Sequence, residues 1–394
     1  MRNEYRMKQH WFHRFLTRFC VPIVAALAFV VLGIMAFFTF NLSFLNPIKK
    51  AVKEFSMTDL YYQILQETGS PATSPLITIV DMTELISRQD LAQALEDIES
   101  CGPKVIGVDM VFEGRKEDFV GDSMITAVAA HHDNIIWSMK LYDYVDDEQE
   151  HMVDVRSFFT EDTEVKEGVT NMQRELYGGL KRMMSLGWRL RGELKPSFIV
   201  ATANEYAGKQ IAETSSKQVE INFTPTNFPI IPADSVLQHP ELIADHIVLF
   251  GAMNEEIDMH YTPLGKIAGI QLLAYSIQTL MKQNDIMEIR GFWFWVITFV
   301  LVAITYWFRK RRKEWVDARP RAALRLLLGF PIVGSIIAFL WMALLMWVAF
   351  VLFCGYDISF NLGLTFSAIA FLGTAESSYK SLLNYANDLS NEIH

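Results

Sequence analysis

Residues 21–40, VPIVAALAFVVLGIMAFFTF, contain no charged side chain. Hydrocarbon offers no partner to a free backbone N–H or C=O, so a run placed there is confined to helix. Its 20 residues match a hydrocarbon layer about 30 Å thick. The rival reading is a secretory signal peptide, whose apolar core is shorter, about 7–15 residues, and ends at a small-residue cleavage site. This run ends in Phe38, Thr39, Phe40 and Asn41, which predicts an uncleaved signal anchor. A second run, 292–308, carries Trp, Tyr and Phe at both ends, where rings settle at headgroup level. A third, 326–354, is longer than one crossing needs, so it tilts or extends past the bilayer, and Pro331 near its start is expected to kink it. Residues 358–374 are expected to make a fourth crossing. The stretch 358–371 is short and contains Asn361, Thr365 and Ser367, so a re-entrant or interfacial segment is the alternative.

The charge is divided along the chain. Residues 45–290 carry 38 Asp and Glu against 21 Lys and Arg, and the remaining segments carry 7 against 14. The positive surplus lies beside the apolar runs: Arg2, Arg6, Lys8, Arg14 and Arg18 before the first, and Arg309, Lys310, Arg311, Arg312 and Lys313 after the second. Loops rich in Lys and Arg stay in the cytoplasm. The predicted plan is a basic cytoplasmic N-terminus (1–20), a membrane helix (21–40), an acidic outer domain (45–290), a second membrane helix (292–308), a basic cytoplasmic loop (309–325), a third helix (326–354), a fourth (358–374) and an amphipathic tail (375–394). The tail is cytoplasmic if the fourth segment crosses, and outside if it does not. An acidic outer domain excludes nucleic acid, whose phosphates need a basic face. Its single cysteine, Cys101, leaves no internal disulfide there.

Within the outer domain, residues 47–62 pattern as a helix, and 69–75 (GSPATSP) as a linker. Then apolar strands alternate with helices: 76–80 ending in Asp81, a helix through Leu91, Ala94, Leu95 and Ile98, 105–108 ending in Asp109, a helix through Met124, Ile125, Val128 and Ala129, and a strand at 134–138. Strands apolar on both faces and alternating with helices predict a largely parallel α/β sheet covered by helices. Residues 142–194 are less regular. The acidic stretch 143–150 is read as a solvated loop, since it lacks the glycine and fixed spacing of a calcium loop. Strands are expected near 180–186, 219–223 and 246–251, helices at 196–208 and from Gly269, and a loop at 258–265.

In this order the segments resemble the extracellular CHASE sensory domain of the second type. The matching residues include Ile79-Val80-Asp81, Val105-Ile-Gly-Val-Asp109 with Phe112, Gly168-Val-Thr-Asn171, Pro196-Ser197-Phe198, Ile221-Asn222-Phe223, Phe228-Pro229, Asp234-Ser-Val-Leu237, Ile247 through Ala252, then Asp258, His260, Thr262-Pro263 and Gly269-Ile270. The resemblance covers nearly all of 45–290. It implies a bacterial signal receptor in the inner (cytoplasmic) membrane, with the main domain periplasmic. The output in such receptors is commonly a histidine kinase, a nucleotide cyclase or another signalling enzyme on the same chain. Two departures stand out: residues 82–89 lack the Trp-Pro-rich segment common there, and Gln271 and Leu273 stand where glutamate and histidine are usual. The sequence ends at His394 without an output domain, so relay to a separate partner is expected.

Ligands of an open parallel sheet bind outside the carboxyl ends of its strands. That rim should carry Asp81, Asp109, Asp258, His260 and Thr262, a set suited to a polar ligand or cation. The plainer role for each aspartate is to accept hydrogen bonds from loop N–H groups or to cap the next helix. For His260 it is loop packing, since no second histidine stands at ligand spacing. His131 and His132 most simply oppose a helix dipole. No phosphate loop, His-Glu-x-x-His or Gly-x-Ser-x-Gly occurs, so no enzyme activity, metal or cofactor is expected. Arg309–Lys313 reads as a topology determinant, with anionic-lipid contact secondary. Tyr379, Leu382, Ala386, Leu389 and Ile393 form a heptad seam. It is either the buried side of a helix lying along the membrane or a docking helix for a second copy or a partner. The expected function is a membrane sensor that relays an envelope ligand or protein through the bundle to a signalling enzyme. The alternative is a scaffold subunit of an envelope complex. An envelope enzyme using the rim carboxylates with a metal is a third reading.

Overall fold

A computed structural model describes residues 15–41, 57–145, 150–172, 179–254, 256–283, 286–289 and 291–391. The chain divides into two compact units, one of residues 58–286 and one of 1–57 with 287–394. Helix α1 (Cys20–Asn41) belongs to the second unit and α2 (Met57–Thr68), but for its first residue, to the first. The helix expected at 47–62 is described only from Met57 onward.

The unit of residues 58–286 is built on β1 (Ile77–Asp81), α3 (Arg88–Ser100), β2 (Val105–Val108), α4 (Phe119–His131) and β3 (Ile135–Val145). Residues 77–80 and all of β2 are buried, as strands covered on both faces require. Ser87 starts α3: its hydroxyl accepts from the Asp90 N–H at 3.1 Å and the Asp90 carboxylate reaches back to the Ser87 N–H, a reciprocal cap. Asp118 caps α4 through the Gly121 N–H. Leu91, Leu95 and Ile98 of α3 and Ile125 and Val128 of α4 share one core with Val80, Ile106, Val108, Trp137 and Phe250.

The rest of the nine-stranded sheet comes from β4 (Glu150–Val155), β5 (Lys166–Val169), β6 (Gly187–Leu190), β7 (Glu193–Pro196), β8 (Ile230–Pro232) and β9 (Ile247–Gly251). The order is β8-β1-β9-β2-β3, all parallel. The first half of β3 pairs in parallel with β5, and its second half antiparallel with β4. From β4 the sheet continues to β6 and the antiparallel β7. The sheet is thus largely parallel, with an antiparallel extension in the stretch that reads as least regular. The acidic stretch begins inside β3, which runs to Val145, and β4 starts at Glu150; residues 146–149 lie outside the described set. Helix α5 (Phe198–Ala207) packs on β2, β3 and β5, and α6 (Gly269–Lys282) packs on β1 and β9. These two cover the face opposite α3 and α4.

Two further differences concern turns. Residues 258–265 are not an open loop: β10 (Met259–Thr262) and β11 (Gly265–Ala268) form an antiparallel hairpin, closed by Gly265 at φ 99°. The strand expected at 180–186 is Met183–Ser185, antiparallel to Gln218–Glu220.

The membrane unit holds α1, α7 (Gly291–Asp317), α8 (Ala322–Gly329), α9 (Pro331–Tyr356), α10 (Gly363–Ala370) and α11 (Leu372–Asn391). Among the described residues α1, α7 and α9 are long and apolar enough to cross a membrane. The basic segment expected as a loop is helical through Asp317, because Lys and Arg sustain a helix beyond the apolar run. The third segment breaks at Phe330, and Pro331 opens α9 as its first residue, where its missing N–H costs nothing. The segment expected as a fourth crossing forms the short α10, packed against α1 and α7 and followed by α11. Ala25 and Ala28 of α1 are fully buried with Ala368 and Ala375, small residues that let helix backbones approach. Most of α9 is exposed. Met287–Glu288 pairs in parallel with Ile358–Ser359: the Met287 N–H donates to Asp357 at 2.9 Å and the Ile289 N–H to Ser359 at 3.0 Å.

Candidate functional site

The carboxyl edge of the parallel sheet gathers part of the expected rim. Gly251, last residue of β9, stands in register with Asp81 on one side, and Phe250 accepts from the Asp109 N–H on the other at 2.9 Å. The two aspartates therefore flank Gly251. A Cβ on Gly251 would lie 2.6 Å from Ile270 Cδ1 and 3.2 Å from Asp109 Cβ. Ile270, fully buried, thus closes over the centre of this edge.

Asp81 is engaged within the fold. Its Oδ1 accepts from the Thr83 N–H at 3.0 Å, the Thr83 hydroxyl at 2.5 Å and the Met253 N–H at 3.1 Å. It ties the loop after β1 to the loop after β9, the plainer of the two roles expected of it. Asp258 and His260 form a pair, Nε2 to Oδ1 at 3.4 Å. The Asp258 carboxylate lies over Gly269, where a Cβ would be 2.1 Å from Oδ2. A carboxylate at the first turn of α6 is favourably placed against the helix dipole. Thr262 braces its hairpin: its hydroxyl donates to the Gly265 carbonyl at 2.9 Å and accepts from the Leu264 N–H at 3.2 Å. Among the described residues no three His, Cys, Asp or Glu side chains converge as a metal site.

A cleft that the sequence reading does not anticipate lies in the antiparallel extension. It has a volume of about 460 Å³, with Met139 and Leu190 as apolar lining and charge of both signs around them. Arg156 on the loop after β4 grips Glu167 of β5 through Nε and Nη2, with Nε–Oε distances of 3.1 and 2.8 Å. Glu167 beside it pushes the Arg156 guanidinium further up, against burial, so it stays a cation throughout the working range. Arg191 reaches Asp154 at 2.5 Å and Lys195 reaches Glu193 at 2.6 Å. Lys195 holds the fully exposed Glu193 below the usual carboxylate range. Glu167 and Asp154 are largely shielded, whereas Lys195 and Glu193 are open to solvent, so Lys195 is the cation of this lining most readily shared with a ligand carboxylate. Such a lining suits a small ligand carrying both charges. The stretch Glu-His-Met-Val-Asp-Val of β4 carries no regular alternation, so nothing local in the sequence marks this cleft.

A second unanticipated group stabilises the loop beside the rim. Arg88 of α3 and Asp122 of α4 form an ion pair at 9% and 3% side-chain exposure. Arg88 also donates to the carbonyls of Glu113 at 3.2 Å and Gly114 at 2.9 Å, and it lies over the Phe158 ring at 4.9 Å. Asp122 accepts from the Lys116 N–H at 2.8 Å. The pair thereby fixes the loop that follows Asp109.

In the membrane unit, Arg309, Lys310, Arg311, Arg312 and Lys313 lie on the last turns of α7. Arg311 pairs with Glu314 at 3.5 Å, and Arg309 with Glu376 at 3.8 Å. The heptad seam divides. Tyr379 and Ala386 are buried in the bundle core with Leu16, Cys20 and Val24, and the Tyr379 hydroxyl donates to the Leu16 carbonyl at 3.1 Å. Leu382 is exposed, as is its neighbour Tyr385. The Leu389 side chain and Ile393 lie outside the described residues. The outward apolar face of α11 is therefore Leu382 with Tyr385.

Compared with protein families, residues 26–307 match the model of the CHASE2 domain. Comparison with curated proteins and with solved structures gave no match.

Proposed function

The chain belongs to the CHASE2 family of extracellular sensor domains, and from that premise we propose that it is a non-enzymatic receptor of the bacterial inner membrane. It crosses four times and holds its α/β domain in the periplasm. That domain detects a small charged ligand or an envelope protein, with the cleft between Arg156, Arg191 and Lys195 as the ligand's seat. The observation that carries the relay is covalent and short: α6, buried against the central strands, is followed after residues 283–290 by α7. The bundle passes the signal to a separate cytoplasmic signalling enzyme, or to a second copy of this chain, at Leu382 and Tyr385 of α11.

The test is gentle purification of the full chain from native membranes, with identification of what accompanies it, repeated for Leu382→Lys combined with Tyr385→Lys. A signalling enzyme that accompanies the wild type and is lost from the variant supports the receptor. One observation favours a scaffold subunit instead: Ile270 fills the centre of the sheet rim, and Asp81 is spent on loop contacts. Envelope structural proteins that accompany both forms equally would decide for the scaffold.

A further inference from the structure

The basic end of the membrane bundle contains a cavity of about 660 Å³, formed between the end of α7, the start of α9 and the junction of α10 with α11. That volume falls within the range of ligand sites, about 300–1,000 Å³. Its walls are mostly apolar, including Ile337, Trp341 and Leu372, while Arg309 and Arg312 supply cationic groups. The walls are braced without any ligand: the Trp341 Nε1–H donates to Thr305 Oγ1 at 2.9 Å and joins α9 to α7.

Arg312 is the informative residue. Its Nη1 is buried and has no hydrogen-bond partner among the described residues. A buried charged donor left unmade is costly. The guanidinium lies against Gly334 of α9, where a Cβ would stand 2.9 Å from Nη2. The absence of a side chain there gives the guanidinium its place in the wall. Arg309 is only loosely engaged: its 3.8 Å contact is with Glu376, which has a closer partner in Lys380 at 2.8 Å. Cationic forks beside an apolar slot, at the basic end of a membrane bundle, complement a phosphate carried on acyl chains.

We propose that this cavity holds an anionic phospholipid, with its headgroup phosphate on Arg312 and Arg309 and an acyl chain along Ile337 and Trp341. The proposal is independent of the receptor reading and goes beyond a diffuse attraction of the basic block for the membrane surface. It assigns the lipid to a particular pair of arginines.

The experiment uses the full chain in bilayers of phosphatidylglycerol and phosphatidylcholine, released into detergent, with retained lipid counted by native mass spectrometry. The wild type is expected to keep phosphatidylglycerol in preference to phosphatidylcholine. Arg312→Gln should lower that retention about tenfold, the scale of one charge-assisted hydrogen bond. Gly334→Ala pushes only the mobile tip of the guanidinium, so it should fold normally and lower retention by a smaller factor. It carries the test if Arg312→Gln does not fold. Arg311→Gln, whose side chain faces Glu314 and Trp307, should change nothing. Equal losses in the Arg311 and Arg312 variants would reduce the effect to diffuse charge and overturn the proposal. So would equal retention of the two lipids. Displacement of phosphatidylglycerol by inorganic phosphate would name a soluble phosphate as the ligand, and displacement by a peptide of residues 1–14 would name the chain's own basic terminus. Either result also overturns it.

Discussion

Arg88 and Asp122 are shut away from water, and each alone there would be destabilising. Burial by itself raises the Asp122 carboxyl, but the hydrogen bonds from Arg88 and the Lys116 N–H outweigh it and leave the group below the ordinary carboxylate range. A carboxyl held low in the native state adds stability above its unfolded value, about pH 3.9 for aspartate. That contribution is lost as pH falls through the native value. Asp122→Asn should therefore cost about 3–5 kcal/mol at neutral pH by leaving Arg88 uncompensated. The gap to wild type should narrow below about pH 4. Hydrogen exchange of the α3 and α4 amides in the full chain measures both effects, and a gap unchanged with pH would show that Asp122 titrates normally. The pair joins residues 34 positions apart, so no local pattern announces it. Asp81 is a different case: its place at a strand end is legible in the sequence, but its partner Met253 lies 172 positions away.

Elements were legible where one force dominates. β1, β2 and β9 are continuous apolar runs, and burial on both faces leaves them no other conformation. α3, α4 and α6 announce themselves by helical spacing. The strands β4, β6 and β7 are short and mix charge with apolar residues, so their pairing depends on neighbours that a sequence window does not contain. The β10–β11 hairpin is similar: Met-His-Tyr-Thr and Gly-Lys-Ile-Ala carry little alternation, and the turn at Gly265 sets the register. The candidate cleft depends on that same extension, which is why it was missed with it. At this scale the short pairing of Met287–Glu288 with Ile358–Ser359 makes a checkable statement. Met287→Pro removes the N–H that reaches Asp357. One such bond contributes about 0.5–1.5 kcal/mol, so exchange at the amides of residues 357–360 should quicken by roughly two- to tenfold. Unchanged exchange would mean that the pairing does not hold that loop.

Across the whole molecule, charge and hydropathy together prescribe the arrangement before any contact is considered. An acidic stretch lies between one long apolar helix and a basic-flanked group of helices, and the proposed topology puts residues 309–325 on the opposite side of the membrane from 58–286. In a chain with Cys20, Cys101 and Cys354 replaced by serine, the exposed positions Ser123→Cys and Arg325→Cys should label differently. A membrane-impermeant maleimide should reach the first in spheroplasts and the second only after lysis. Labelling of both without lysis would reverse the plan. The pairing of Met287–Glu288 with Ile358–Ser359 also bears on how force travels. In the proposed relay, a load arriving along the chain from α6 would not act on α7 alone. The hydrogen bonds from Met287 and Ile289 divide it between the head of α7 and the link from α9 to α10. In the proposed receptor, a displacement entering at Met287 would therefore be shared with the link from α9 to α10, and through it with α10 and α11.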